Sequence, residues 1–88
     1  MEIHSSLDWP DVASQLRKIG RKAATNPTHL SVYLTNISNL VKQLGNMEVD
    51  NRRNKRPPNL QYKELLSKIN ESITEFEQWI TYATLLYG

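Results

Sequence analysis

His4 and His29 are the residues best suited to metal binding or proton transfer at neutral pH. His4 lies in an N-terminal stretch expected to fray, and His29 has no acid or second histidine at i±3 or i±4, the spacing that brings ligands together on a helix, so no metal site is expected. Glu64, Glu71 and Glu75 share one helical face, but no second helix offers matching carboxylates for acid–base work or a two-metal centre. The three glycines, Gly20, Gly45 and Gly88, are too far apart to form a phosphate-cradling loop. Seven serines are present, none in a glycine-flanked nucleophile turn. The chain contains no cysteine, which removes thiolate chemistry and sulfur-ligated metals. These residues predict a protein without catalytic activity and without a cofactor.

Two other sets of residues have chemistry suited to binding. Arg17 and Arg21, followed by Arg52, Arg53, Lys55 and Arg56, could neutralise phosphates of a nucleic acid, although no aromatic residue near the second group is available to stack on a base. Arg17 and Arg21 are accompanied by Lys18 and Lys22, all in the C-terminal half of a helix, where cations also suit the helix dipole. Trp79, Tyr82, Leu85, Leu86 and Tyr87 form the second set. Large rings with a polar tip are enriched where protein interfaces concentrate their binding energy.

The elements that position these residues read as three helices. Of 88 residues, 39% are hydrophobic and the net charge is +2, which fits a single helical domain spanning residues 1–88. Charge is unevenly distributed: residues 1–16 carry −3, residues 17–56 carry +7 and residues 57–88 carry −2. No stretch reaches the ~20 apolar residues of a membrane span, and the start of the chain lacks the features of a secretion signal. A cytoplasmic location without membrane association is expected.

A first helix is predicted over about 8–24, with Asp8 or Asp11 satisfying the first-turn N–H groups and Trp9, Val12, Ala13, Leu16, Ile19, Gly20 and Ala23 forming the apolar stripe. Asn26 and Pro27 mark a new helix start. Leu30, Tyr33, Leu34, Ile37, Leu40, Val41 and Leu44 then predict a second helix over about 27–44, closed by Gly45 as a left-handed cap. Its outer face is Ser31, Thr35, Asn36, Ser38, Asn39, Lys42 and Gln43. Residues 45–58 lack periodicity, end in Pro57-Pro58, and read as a basic loop. The third helix reads over about 59–87 with the stripe Tyr62, Leu65, Leu66, Ile69, Ile73, Phe76, Ile80, Ala83 and Tyr87.

The expected architecture is all-α, a three-helix up-down-up bundle with an overlong C-terminal helix. At about 1.5 Å of rise per residue the third helix would span about 42 Å against about 26 Å for each of the others. The surplus of roughly ten residues would project beyond the bundle, where residues 1–7 sit at the opposite end and cannot cover it. In this segment the apolar residues spread around the whole cylinder, a pattern that calls for burial on all sides. The sequence therefore predicts an interaction or regulatory protein that self-associates, as a dimer, through Trp79–Tyr87. The alternative it leaves open is a nucleic-acid-binding regulator using the basic loop and the first helix.

Overall fold

The computed structural model describes residues 1–22 and 27–87, with the side chains of all of these except 27–29, 84, 86 and 87. It is an all-α, up-down-up arrangement of α1 (Trp9–Lys22), α2 (Pro27–Arg53) and α3 (Leu60–Tyr87), preceded by a 3₁₀ turn at Ser6–Asp8. The molecule is a rod of 49 × 17 × 17 Å. The predicted Asn26 cap and the residues Ala23 and Ala24 at the end of the first helix lie outside the described residues.

The chain enters α1 through a capping box one turn earlier than expected. Ser5 Oγ accepts the Leu7 N–H at 3.2 Å, while the Asp8 carboxylate accepts the N–H groups of His4 at 2.8 Å and Ser5 at 3.3 Å. Asp8 thus satisfies donors upstream of the helix. Residues 1–5, expected from the sequence to lie at the opposite end from the last turns of the third helix, pack along α3. Ile3 is wholly buried, and its backbone exchanges two hydrogen bonds with the Asn70 side chain, N–H to Oδ1 at 2.7 Å and Nδ2–H to the carbonyl at 2.9 Å.

The largest departure from the sequence reading is α2. It has 27 residues and continues nine residues past the expected stop, so the basic loop of residues 45–58 shrinks to 54–59. A glycine cap requires positive φ, and none of the described glycines has it. Gly45 serves close packing instead: a Cβ there would lie 3.4 Å from Ser6 Oγ. The helix is stopped just beyond Arg53 by Lys55, whose φ is 53°. Around it the Arg56 N–H bonds to the Asn51 carbonyl at 2.8 Å and the Lys55 N–H to the Arg52 carbonyl at 3.2 Å, the paired bonds of a Schellman stop with lysine in the left-handed position usually held by glycine. Pro57 and Pro58 then carry the chain to Asn59, which caps α3 by accepting the Tyr62 N–H at 2.9 Å.

Lengthening α2 changes the meaning of the long third helix. With 28 residues α3 is the longest element, yet α2 is only one residue shorter. The two form an antiparallel hairpin whose far ends are nearly level, so the ten-residue projection is absent and only α1, with 14 residues, is short. Tyr33 and Phe76 stack across this hairpin with ring centroids 5.3 Å apart. The core follows the predicted stripes closely: Trp9, Val12, Ala13 and Leu16 of α1 meet Leu30, Leu34, Ile37, Val41 and Leu44 of α2 and Ile69, Ile73, Phe76 and Ile80 of α3. Ile19, placed in the stripe by spacing, is 36% exposed, while Leu16 and Gly20 of the same helix are buried. Gly20 takes the close position there; a Cβ on it would come within 2.7 Å of Leu30 Cδ1.

Candidate interaction surfaces

The last three turns of α3 present two faces. Phe76, Ile80 and Ala83 point inward and are buried, while Trp79, Tyr82 and Leu85 are 42%, 62% and 81% exposed. These three are among the five residues expected to form a contact surface. The other two, Leu86 and Tyr87, have side chains outside the described ones. Trp79 rests one edge of its indole against the core through Phe76, with centroids 6.3 Å apart. The N-terminal segment reaches this region from one side, contrary to the expectation that it lies at the opposite end. The Met1 amino group pairs with Glu77 at 3.0 Å, and Met1 shares a shallow cleft with Thr74, Gln78, Thr81, Tyr82 and Leu85. It borders the exposed apolar face and leaves Tyr82 and Leu85 largely open to solvent.

The two basic groups do not converge. Arg17 and Arg21 flank Leu30 and Leu34 near the start of α2, whereas Arg52 and Arg53 occupy its last turn. At about 1.5 Å per residue along α2, the groups are roughly 30 Å apart. Arg56 is tied to Asp50 in an ion pair, and Asn54 Nδ2 donates to the same residue's carbonyl and carboxylate at 2.9 and 3.0 Å. Arg52, Arg53 and Lys55 are exposed around this helix stop.

Arg17 and Arg21 instead belong to a cleft of about 530 Å³ between α1 and α2. Its floor is Leu30 and Leu34, both buried. Ser31, Thr35, Ser38, Asn39 and Lys42 form the α2 wall, and no acidic residue is among the described residues that line the cleft. From the sequence the two arginines are candidates for phosphate contact, and Ser31, Thr35 and Asn39 are exposed residues able to hydrogen-bond a base, but nothing there places them beside each other. The α2 residues become a wall because α1 packs against α2 beside them, a relation that helical spacing within α2 does not contain.

A polar junction at the other end of the rod was also missed. Glu48 accepts hydrogen bonds from the Ser6 N–H at 3.0 Å, from the Ser6 hydroxyl, and from the Tyr62 hydroxyl at 2.7 Å, joining the 3₁₀ turn to α2 and α3. Burial pushes the carboxyl pKa up, but the Ser6 and Tyr62 hydrogen bonds and the nearby Arg52 charge outweigh it and hold Glu48 below its usual range. Burial, the hydrogen bond to Glu48 and the Glu48 charge together push the Tyr62 phenol up to about 12. The signal in the sequence is that Glu48 continues the Ile37, Val41, Leu44 spacing onto the core-facing side of α2.

The residues weighed for catalysis stay dispersed. His4 is exposed, with Nε2 3.9 Å from the Glu2 carboxylate, and the side chain of His29 lies outside the described residues. Glu64, Glu71 and Glu75 are exposed. Glu75 accepts only a long hydrogen bond, 3.4 Å, from the Tyr33 hydroxyl, whose pKa is raised by burial and by the Glu75 charge. Among the described residues no three His, Cys, Asp or Glu side chains gather as a metal site, and no helix is long and apolar enough to cross a membrane. Compared with family models, curated proteins and solved structures, the chain matches none.

Proposed function

We propose that this chain is a non-catalytic interaction or regulatory protein of the cytoplasm that pairs with a second copy of itself through the last turns of α3. The observation carrying this reading is the exposure of Trp79, Tyr82 and Leu85, at 42%, 62% and 81%, on turns whose opposite face is already filled by the core. Burying such side chains is favourable at about 25 cal/mol for each Å² of apolar area removed from water. A second copy suits this face because residues 78–87 contain no charged residue. A two-fold contact places each patch against itself, so an uncharged patch meets no like-charge repulsion.

The test replaces Tyr82 and Leu85 with aspartate, singly and together. Both positions are exposed, so helix content by circular dichroism should be retained while self-association is lost. Trp79 emission reports the contact separately, because its indole is partly exposed in the single chain and Trp9 is buried. Emission that shifts red on dilution of the parent, and is already red-shifted in the aspartate variants, supports the contact. Emission independent of concentration, with the same value in parent and variants, removes it.

A further inference from the structure

We propose that the α1–α2 cleft is a binding site for a phosphate ester of nucleotide size, with its phosphates held by Arg17, Arg21 and Lys42 and its organic body against the polar α2 wall. The cleft, at about 530 Å³, has the dimensions of a small-molecule site. Its described lining is mostly polar, with cations and hydroxyl or amide side chains around the buried Leu30 and Leu34. Three cations from two helices line it with no carboxylate among them, and none of the three has an ion-pair partner among the described residues. Arg17 and Arg21 are one helical turn apart on α1, where two like charges repel each other unless an anion lies between them.

The donor set distinguishes phosphate from a lone carboxylate. Two guanidinium forks and an ammonium exceed what one carboxylate can accept, but match a phosphate dianion with three terminal oxygens. The α2 wall supplies further donors. Ser38 already accepts the Trp9 indole N–H at 3.0 Å, which leaves its own O–H available to donate. Ser31, Thr35 and Asn39 stand exposed along the same wall, where they can bond a sugar or the polar edge of a base. Leu30 and Leu34 are buried beneath the cleft and offer little apolar surface, so a polar nucleotide fits better than a long acyl chain.

Ser38 also provides the readout, since a ligand that takes its hydroxyl perturbs the Trp9 indole bonded to it. In a Trp79→Phe background Trp9 is the only tryptophan. Its emission would be followed during titration with ATP, with inorganic pyrophosphate and with a single-stranded oligothymidylate at low salt. The expected result is a saturable change with ATP, weakened by at least about tenfold in Arg17→Gln/Arg21→Gln and again by Lys42→Gln, as loss of charge-assisted bonds implies. Arg52→Gln/Arg53→Gln, at the far end of the rod, should leave the affinity unchanged. Oligothymidylate binding lost in the same α1 variants supports the same cleft and assigns the phosphate to a polynucleotide; ATP binding alone assigns it to a free nucleotide. Pyrophosphate binding as tightly as ATP overturns the role of the α2 wall in holding the organic body. No saturable change with either nucleotide probe, or equal weakening by the Arg52/Arg53 pair, overturns the site.

Discussion

Replacing Asn70 with alanine should detach the N-terminal segment from α3, and the structure sets the size of the effect. The Asn70 amide exchanges hydrogen bonds of 2.7 and 2.9 Å with the backbone of Ile3. Each is worth about 1 kcal/mol net, so their loss alone costs about 2 kcal/mol. Ile3 is fully buried, and if the segment lifts away, exposing that side chain adds about 2 kcal/mol more. For a domain of this size 2 kcal/mol lowers Tm by roughly 8–16 °C, readable by circular dichroism or calorimetry. The two contributions separate in a double-mutant cycle. Ile3→Ala by itself should cost about 2–4 kcal/mol by leaving a cavity, but in the Asn70→Ala background it should cost less than about 1 kcal/mol, because the isoleucine has already left the core. Strict additivity would show that Ile3 stays seated without Asn70. A single-variant cost below about 0.5 kcal/mol would show that the amide does not hold the segment.

The Glu48 junction predicts a pH dependence at both ends of the range. Because Glu48 is held below its usual 4.5, its contribution is fully present above that value and is lost as pH falls through the lowered folded value. Glu48→Gln should therefore be less stable than the parent at neutral pH, with the difference shrinking in acid; a difference independent of pH contradicts the network. Tyr62 titrates at about 12 rather than 10.0, so its contribution is present below pH 10 and fades as pH rises toward 12. In Tyr62→Phe that alkaline loss should disappear. At the Schellman stop, Lys55→Gly should raise stability by about 1 kcal/mol in urea unfolding, since φ of 53° strains a side-chain-bearing residue and suits glycine. No gain would mean that the lysine makes compensating contacts.

The apolar stripes were legible because spacing in a helix maps directly onto a face, and the residues at those spacings are the ones that fill the core. What misled was the end of α2. Gly45 has the right type for a helix stop, but the stop needs positive φ, and tertiary contact with Ser6 gives the glycine another use. The real stop is at Lys55, a residue type with no preference for that conformation, so composition gave no warning of it. Two extra turns on α2 removed the projection inferred for α3, while the exposed arc of Trp79, Tyr82 and Leu85 remained because it depends on α3 alone. Ile3 was invisible for a different reason. A lone apolar residue in a nonperiodic segment carries no pattern, and its partner Asn70 lies 67 positions away. The cleft between α1 and α2 required the packing of two helices, which no single-helix periodicity encodes.

The contact proposed at the end of α3 stands or falls on the mass of the chain in solution. Sedimentation equilibrium or light scattering from the low micromolar to the millimolar range, run on the parent and on Tyr82→Asp/Leu85→Asp, measures it directly. A mass rising toward twice 10.2 kDa in the parent, and staying at 10.2 kDa in the variant, is the predicted result. A parent that remains at 10.2 kDa at every concentration would contradict self-association through Trp79, Tyr82 and Leu85.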